Sequence, residues 1–220
     1  MKSIMIFIVL VLGMCTIISP AAWGQDSNSS QSADDFFQKG NEFFAQGKMQ
    51  EAIHAYDEAI EKDPQHAGAL SNKAAALNQM GHFEEAISIC EKALEIDPQY
   101  AGAWTNKGNS LNEMGRYDEA ISAYDEAIRI NPKLGETWFN KGLALGFLGR
   151  FDEAVQAYNK SIEADPQFAE AWYNKGMALS SLGNFAEAML AYDEAVKINP
   201  QYTEAWSNKG HDLRGFGKVR

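Results

Sequence analysis

Trp104, Trp138, Trp172 and Trp206 recur every 34 residues, and each is followed by Asn-Lys-Gly at the same offset. Pro64, Pro98, Pro132, Pro166 and Pro200 keep the same interval. A fixed period of this length means that one supersecondary unit is copied along the chain. A single copy cannot bury its own apolar face, so neighbours must stack to build a continuous core. With Ala101 as position 1, full repeats cover 33–66, 67–100, 101–134, 135–168 and 169–202, and a sixth begins at Thr203 and stops about half-way.

Inside each repeat the punctuation reads helix, turn, helix, turn. In the third, Ala103, Trp104, Gly108, Leu111 and Met114 recur at helical spacing over Ala103–Met114, with Gly115 placed as a C-terminal cap. Asp118 offers the next N-cap, with Glu119 in a first turn that favours acids. Ala120, Ile121, Tyr124, Ala127 and Ile128 make the second apolar face, and Asn131 is held extended by Pro132. Gly108 is expected opposite Ala120 and Ala127, with Trp104 and Tyr124 filling beside them. Loss of a buried tryptophan such as Trp138 would then cost roughly 3–5 kcal/mol.

The unit resembles the tetratricopeptide repeat, carried by Trp104 at position 4, Gly108 at 8, Leu111 at 11, Ala120 at 20, Tyr124 at 24, Ala127 at 27 and Pro132 at 32. The departures are Lys at position 7 in every copy (Lys39, Lys73, Lys107, Lys141, Lys175, Lys209), Phe36 for Trp, Leu70 and Ala74 in the second repeat, Cys90 at position 24, and Ser161 for Ala. The resemblance covers residues 33–220 and implies an all-α, right-handed superhelical solenoid of antiparallel helix pairs.

It also implies that the first helices line a concave groove, chiefly through positions 2, 5, 6, 9, 12 and 13. Those positions give an amide-rich half around Asn72, Asn106 and Asn109, and an apolar half around Phe139, Leu143, Phe147, Tyr173 and Met177. Asn72, Asn106, Asn140, Asn174 and Asn208 form a ladder at position 6. Side-chain amides both donate and accept, so the ladder suits the backbone of an extended peptide, and it serves equally to order the helix array itself. A contiguous apolar patch is the usual mark of a partner site. Some family members grip an acidic C-terminus with groove Lys and Arg. Here Glu136, Glu170 and Glu204 stand at position 2 instead, so a protein or peptide with apolar anchors and basic residues fits better than an acidic one. The lysines of position 7 are expected half-buried, with their heads near carboxylates of adjacent helices.

Charge narrows the function classes. Residues 25–220 hold 18 basic against 30 acidic groups, which disfavours nucleic acid and anionic lipid surfaces. His54, His66, His82 and His211 occupy unlike repeat positions with no metal-ligand spacing and read as surface residues. Asp57-Glu58, Asp125-Glu126 and Asp193-Glu194 are two repeated solvent positions, and the glycines are repeat punctuation without a phosphate loop. No enzyme, cofactor, metal or small-molecule substrate is therefore expected. Cys90, where most repeats carry Tyr, reads as a small buried hydrophobe.

Met1-Lys2-Ser3, the apolar run Ile4–Ile18 and the small residues Ala22 and Gly24 have the form of a secretory signal peptide over 1–24, cleaved after Gly24, with Ala21 or Ala22 as the alternative points. Extended to Trp23, the same run approaches the ~20 residues of a membrane anchor, and Leu12-Gly13-Met14-Cys15 faintly resembles a lipidation box at Cys15. Each version places the repeats outside the cytoplasm. Residues 25–32 form a polar tether with a glycosylation sequon at Asn28, and Asn159 begins a second sequon in mid-helix. The leading expectation is an exported, non-enzymatic scaffold that binds a protein or extended peptide. The rival expectation is a structural protein that self-associates end to end through its open last repeat.

Overall fold

The structure, a computed structural model, describes residues 31–216, with side chains as far as Asp212. Residues 1–24, read above as a signal peptide, together with Cys15 and the Asn28 sequon, lie outside the described residues. The described residues form α1 (Ala33–Ala45), α2 (Met49–Lys62), α3 (Ala67–Gln79), α4 (Phe83–Ile96), α5 (Ala101–Glu113), α6 (Tyr117–Ile130), α7 (Gly135–Phe147), α8 (Phe151–Ala164), α9 (Ala169–Ser181), α10 (Phe185–Ile198) and α11 (Thr203–Phe216). They contain no strand, and none of their helices is long and apolar enough to cross a membrane. Odd-numbered helices open the repeats and even-numbered helices close them, each packing on its sequence neighbours in an all-α solenoid.

The turns explain the regular lengths. Gly47, Gly81, Gly115, Gly149 and Gly183 stand just past the first helices at φ between +73 and +80°, a region that costs other residues a Cβ clash. Second helices end at an extended Asp or Asn before each proline. That residue's carboxylate or amide oxygen accepts the N–H two residues on, as at Asn131 to Lys133 (3.1 Å) and Asp165 to Gln167 (2.9 Å). The expected N-cap shifts: α6 begins at Tyr117 and its cap is Arg116, so Asp118 and Glu119 both lie in the first turn. Arg116 forks onto Glu119 at 2.7 and 2.6 Å, which binds the turn without a side-chain cap. Ser32 is the N-cap of α1 in a reciprocal box with Asp35.

The glycine of position 8 lies directly against the tyrosine of position 24. A Cβ on Gly108, Gly142 or Gly176 would lie 2.5 Å from a ring carbon of Tyr124, Tyr158 or Tyr192 in the same repeat. Glycine therefore makes room for the tyrosine ring, and Ala120 and Ala127 are fully buried. The second repeat has no such ring: Cys90 replaces the tyrosine, and position 8 is Ala74, a residue with a Cβ.

The tryptophans are only half-buried, and Trp206 is exposed. Each indole N–H donates to the carbonyl of the proline six residues earlier, at 3.1 Å for Trp104, 3.0 Å for Trp138, 3.1 Å for Trp172 and 3.2 Å for Trp206. The clip ties the start of each first helix to the turn before it. Because part of the Trp138 ring is already in water, its truncation costs less than the ~3–5 kcal/mol of a fully buried tryptophan.

Candidate binding groove

The amide ladder divides by repeat. Tyr56 donates through its hydroxyl to Asn41 Oδ1 (2.9 Å), and Asn72 Nδ2 of the next repeat donates to the same oxygen (2.8 Å). Tyr124, Asn109 and Asn140 repeat that relay at 2.9 and 3.0 Å. Between these pairs, position 9 is Ala75, so Asn106 turns to the Ser71 carbonyl and hydroxyl (2.9 and 3.0 Å). Further along, Leu143 and Met177 occupy position 9. Asn174 then bonds back to the Glu170 carbonyl of its own helix (2.8 Å), and Asn208 reaches the Tyr173 hydroxyl (3.1 Å). Every ladder amide thus has a partner inside the array.

Beside these amides lies a cavity of about 640 Å³ between α3, α5 and α7, lined by Asn78, Asn106, Asn109, Asn112, Glu113, Glu136 and Asn140 among others. Asn112 Oδ1 is buried there with no hydrogen-bond partner. Burial raises the Tyr124 hydroxyl above its usual range, with Glu113 and Glu136 adding to the rise, so both carboxylates are felt at this site.

The apolar residues separate into two sets. Phe139 is half-buried, tilted against Phe168 at 4.7 Å and Tyr158 at 5.9 Å, and Tyr173 meets Tyr202 at 4.8 Å in the same way. Phe147, at the far end of α7, is 67% exposed and stacks almost flat on Tyr117 at 5.0 Å. Leu143, Phe147 and Met177 come together, with Gly146, Phe151, Tyr158, Asn174, Ala178 and Ser181, around a pocket of about 200 Å³ between α7 and α9. Phe139 and Tyr173 are not among its walls. Leu143 lines both this pocket and the amide cavity, so the two adjoin.

Phe168 and Tyr202 escape the groove positions read from sequence, although a signal for them exists. Positions 5 and 34 are both aromatic in the first, fourth and fifth repeats (Phe37/His66, Phe139/Phe168, Tyr173/Tyr202), and these pairs are in contact. His66 is accordingly no surface residue. It lies on Phe37 at 4.7 Å, and its Nδ1 accepts the Ala69 N–H at 3.1 Å, capping α3.

The lysines of position 7 lie over the tryptophan rings, at 5.8 Å for Lys107 and 5.4 Å for Lys141. Their heads reach a carboxylate sixteen residues earlier: Lys73 to Asp57 (2.6 Å), Lys107 to Glu91 (2.8 Å), Lys141 to Asp125 (2.5 Å), and Lys209 to Asp193. The repeated aspartates are therefore ion-pair partners as well as solvated groups. Lys175 breaks the series, because the residue sixteen before it is Asn159. It keeps the Trp172 ring at 5.1 Å, and burial lowers its pKa. Apart from the Trp172 clip to Pro166, no side-chain hydrogen bond or ion pair among the described residues joins the fourth repeat to the fifth. The apolar pocket sits at that joint.

Residues 37–101 and 139–203 match one family profile described as tetratricopeptide repeat, and 101–134 match another. Among curated proteins, 49 residues are 47% identical to the Hsp70-Hsp90 organizing protein of Triticum aestivum, 22% of this chain but 8% of that protein. The same share of the chain, at the same identity, matches Hsp70-Hsp90 organizing protein 1 of Glycine max, over 9% of its length. The match thus spans less than a tenth of either relative. Among solved structures, YrrB, described as a TPR protein with an unusual peptide-binding site, aligns with a TM-score of 0.65 at 25% identity, over 83% of this chain and 94% of that one. MamA aligns with the same TM-score and identity over 75% of this chain and 96% of its own. A thermophilic TPR protein of Thermus thermophilus, at TM-score 0.67 and 19% identity over 83% of this chain and 99% of its own, shows the fold alone. With profile matches running almost unbroken from residue 37 to 203, the chain belongs to the tetratricopeptide repeat family.

Proposed function

We propose that this chain is an exported, non-enzymatic adaptor that binds a protein or extended peptide in the groove of its first helices, across the second to fifth repeats. Tetratricopeptide repeat proteins generally mediate protein–protein interaction, and the scaffold is typically without catalysis. YrrB, similar over most of this chain, is described as having a peptide-binding site. The observation that carries the reading is the apolar pocket with Phe147 67% and Met177 41% exposed at its rim, adjoining a polar cavity. Apolar side chains clustered in water around a concave site are the usual mark of a surface that a partner covers. Export rests on residues 1–24, whose charged start, apolar core and small residues suit a signal peptide.

Two variants test the groove. Phe147→Ala removes an exposed ring, and Gly146→Leu fills the pocket from a position whose Cβ would come no nearer than 3.9 Å to the Tyr158 hydroxyl. Both should keep the helical circular dichroism of the parent while losing a partner captured from envelope extract of the native host. Retention of that partner by both folded variants refutes groove binding. Export is checked by finding whether mature chain from the host begins near Gln25; a cytoplasmic chain beginning at Met1 refutes it.

A further inference from the structure

The carboxylates of this protein are unevenly matched. On the second helices, Asp57, Glu91, Asp125 and Asp193 hold lysines, and Glu119 and Glu153 hold arginines. Glu113 and Glu136, which line the amide cavity, have no cation within 4.0 Å among the described residues. The Tyr124 hydroxyl and an Asn140 N–H are turned to Asn109, and the Asn106 amide donates to Ser71. The unpaired carboxylates favour an occupant that brings positive charge, and arginine offers a permanent charge with five N–H donors.

The adjoining pocket sets the second requirement. It has room for one large side chain, its walls are Leu143, Phe147, Tyr158 and Met177 among others, and it lies at the joint where repeats lack side-chain links between their helix faces. Asn140 and Gly146 mark the two sites on α7. Six residues of helix span roughly 9 Å, which three residues of extended chain cover.

Resting on the groove reading, we propose that the ligand is an extended peptide segment carrying an arginine side chain over the amide cavity and, three residues away, a large apolar side chain in the Leu143–Phe147–Met177 pocket. The arginine meets the field of Glu113 and Glu136. Neither requirement is met by an acidic C-terminal tail.

The test titrates the full chain with four blocked synthetic peptides on one Gly/Ser frame. They carry Arg and Phe three residues apart, Glu and Phe, Arg and Ala, or neither. The Arg/Phe peptide should bind at least about tenfold tighter than the Glu/Phe and Arg/Ala peptides. Glu113→Gln with Glu136→Gln should erase the preference for Arg over Glu and keep the preference for Phe over Ala. Gly146→Leu should do the reverse. Equal binding of the Glu/Phe and Arg/Phe peptides overturns the arginine assignment; if Gly146→Leu still abolishes that binding, the groove reading stands. Binding unaffected by both sets of variants defeats the groove reading as well. No measurable binding of any peptide overturns the proposed ligand.

Discussion

Gly142→Ala adds one carbon, and its effect follows from where that carbon must go. An added Cβ would sit 2.5, 2.8 and 2.9 Å from Cε1, Cδ1 and Cζ of Tyr158, all inside contact distance. The ring has nowhere to retreat, being 3% exposed with Phe139 against it. Overpacking of this kind costs ~1–3 kcal/mol, and a rigid ring with three conflicting atoms belongs at the upper end. Alanine returns about 1 kcal/mol of helix propensity over glycine. The net is a loss of roughly 2 kcal/mol, equivalent to a fall in melting temperature of ~4–8 °C for a chain of this size. The second repeat supplies the compensating partner, since it pairs Ala74 with Cys90. In a Tyr158→Cys background the clash is gone and only the propensity gain remains, so Gly142→Ala should stabilise by about 1 kcal/mol there. The double-mutant cycle then shows a coupling of roughly 3 kcal/mol. Gly146→Ala is the control: it meets no atom closer than 3.9 Å and should stabilise by about 1 kcal/mol in the parent. Urea melts should be read together with amide exchange in α7 and α8, because repeat arrays open locally. Additivity in the cycle, or equal effects at Gly142 and Gly146, refutes the steric account.

Asn159→Asp should restore the missing carboxylate for Lys175 and stabilise by about 0.3–1 kcal/mol, an effect that fades in high salt; a salt-independent gain, or none, contradicts the pairing. Burial pushes the Tyr56 hydroxyl up to about 12 from an ordinary 10.0. An unfolded tyrosine loses its proton first, so the unfolded state binds fewer protons and stability must fall as pH rises from 10.0 toward about 12. Ultraviolet absorbance of the phenolates should rise together with loss of helix, and an early, separate ionisation of all eight tyrosines would contradict it. The Cys90 thiol, buried and pushed up to about 12, should resist a thiol reagent in the native chain and react on unfolding; rapid native labelling would show the second repeat to be open.

Much of the architecture was legible because its signals are local. Gly115 needs left-handed backbone and Pro132 fixes the residue before it, so each turn is written where it occurs. The lysine–carboxylate ladder was legible in kind, since a long cation between acidic helices has few alternatives. What sequence reading misassigns lies across helix pairs. Gly108 and Tyr124 are sixteen residues apart, and period alone does not say which small residue faces which ring. His66 reads as a surface residue because its neighbour Phe37 lies far back in the repeat. The groove was half legible: its residue types could be read from their positions, but the rotation of α7 that sends Phe139 toward Phe168 and Phe147 toward Tyr117 depends on packing between elements distant in sequence.

The bare joint between the fourth and fifth repeats acquires a meaning under tension. Pulling on the two ends loads every interface in series, so all carry the same force and the weakest yields first. Hydrogen bonds and ion pairs resist over short distances, as Asn140–Asn109 and Lys141–Asp125 do at the preceding interface. Apolar faces slide. The indole clip at Trp172 holds only the turn, so it keeps the chain together without locking one helix face to the next. A stretched array should therefore part at the contact of α8 with α9, leaving two shorter stacks, rather than unravel from an end.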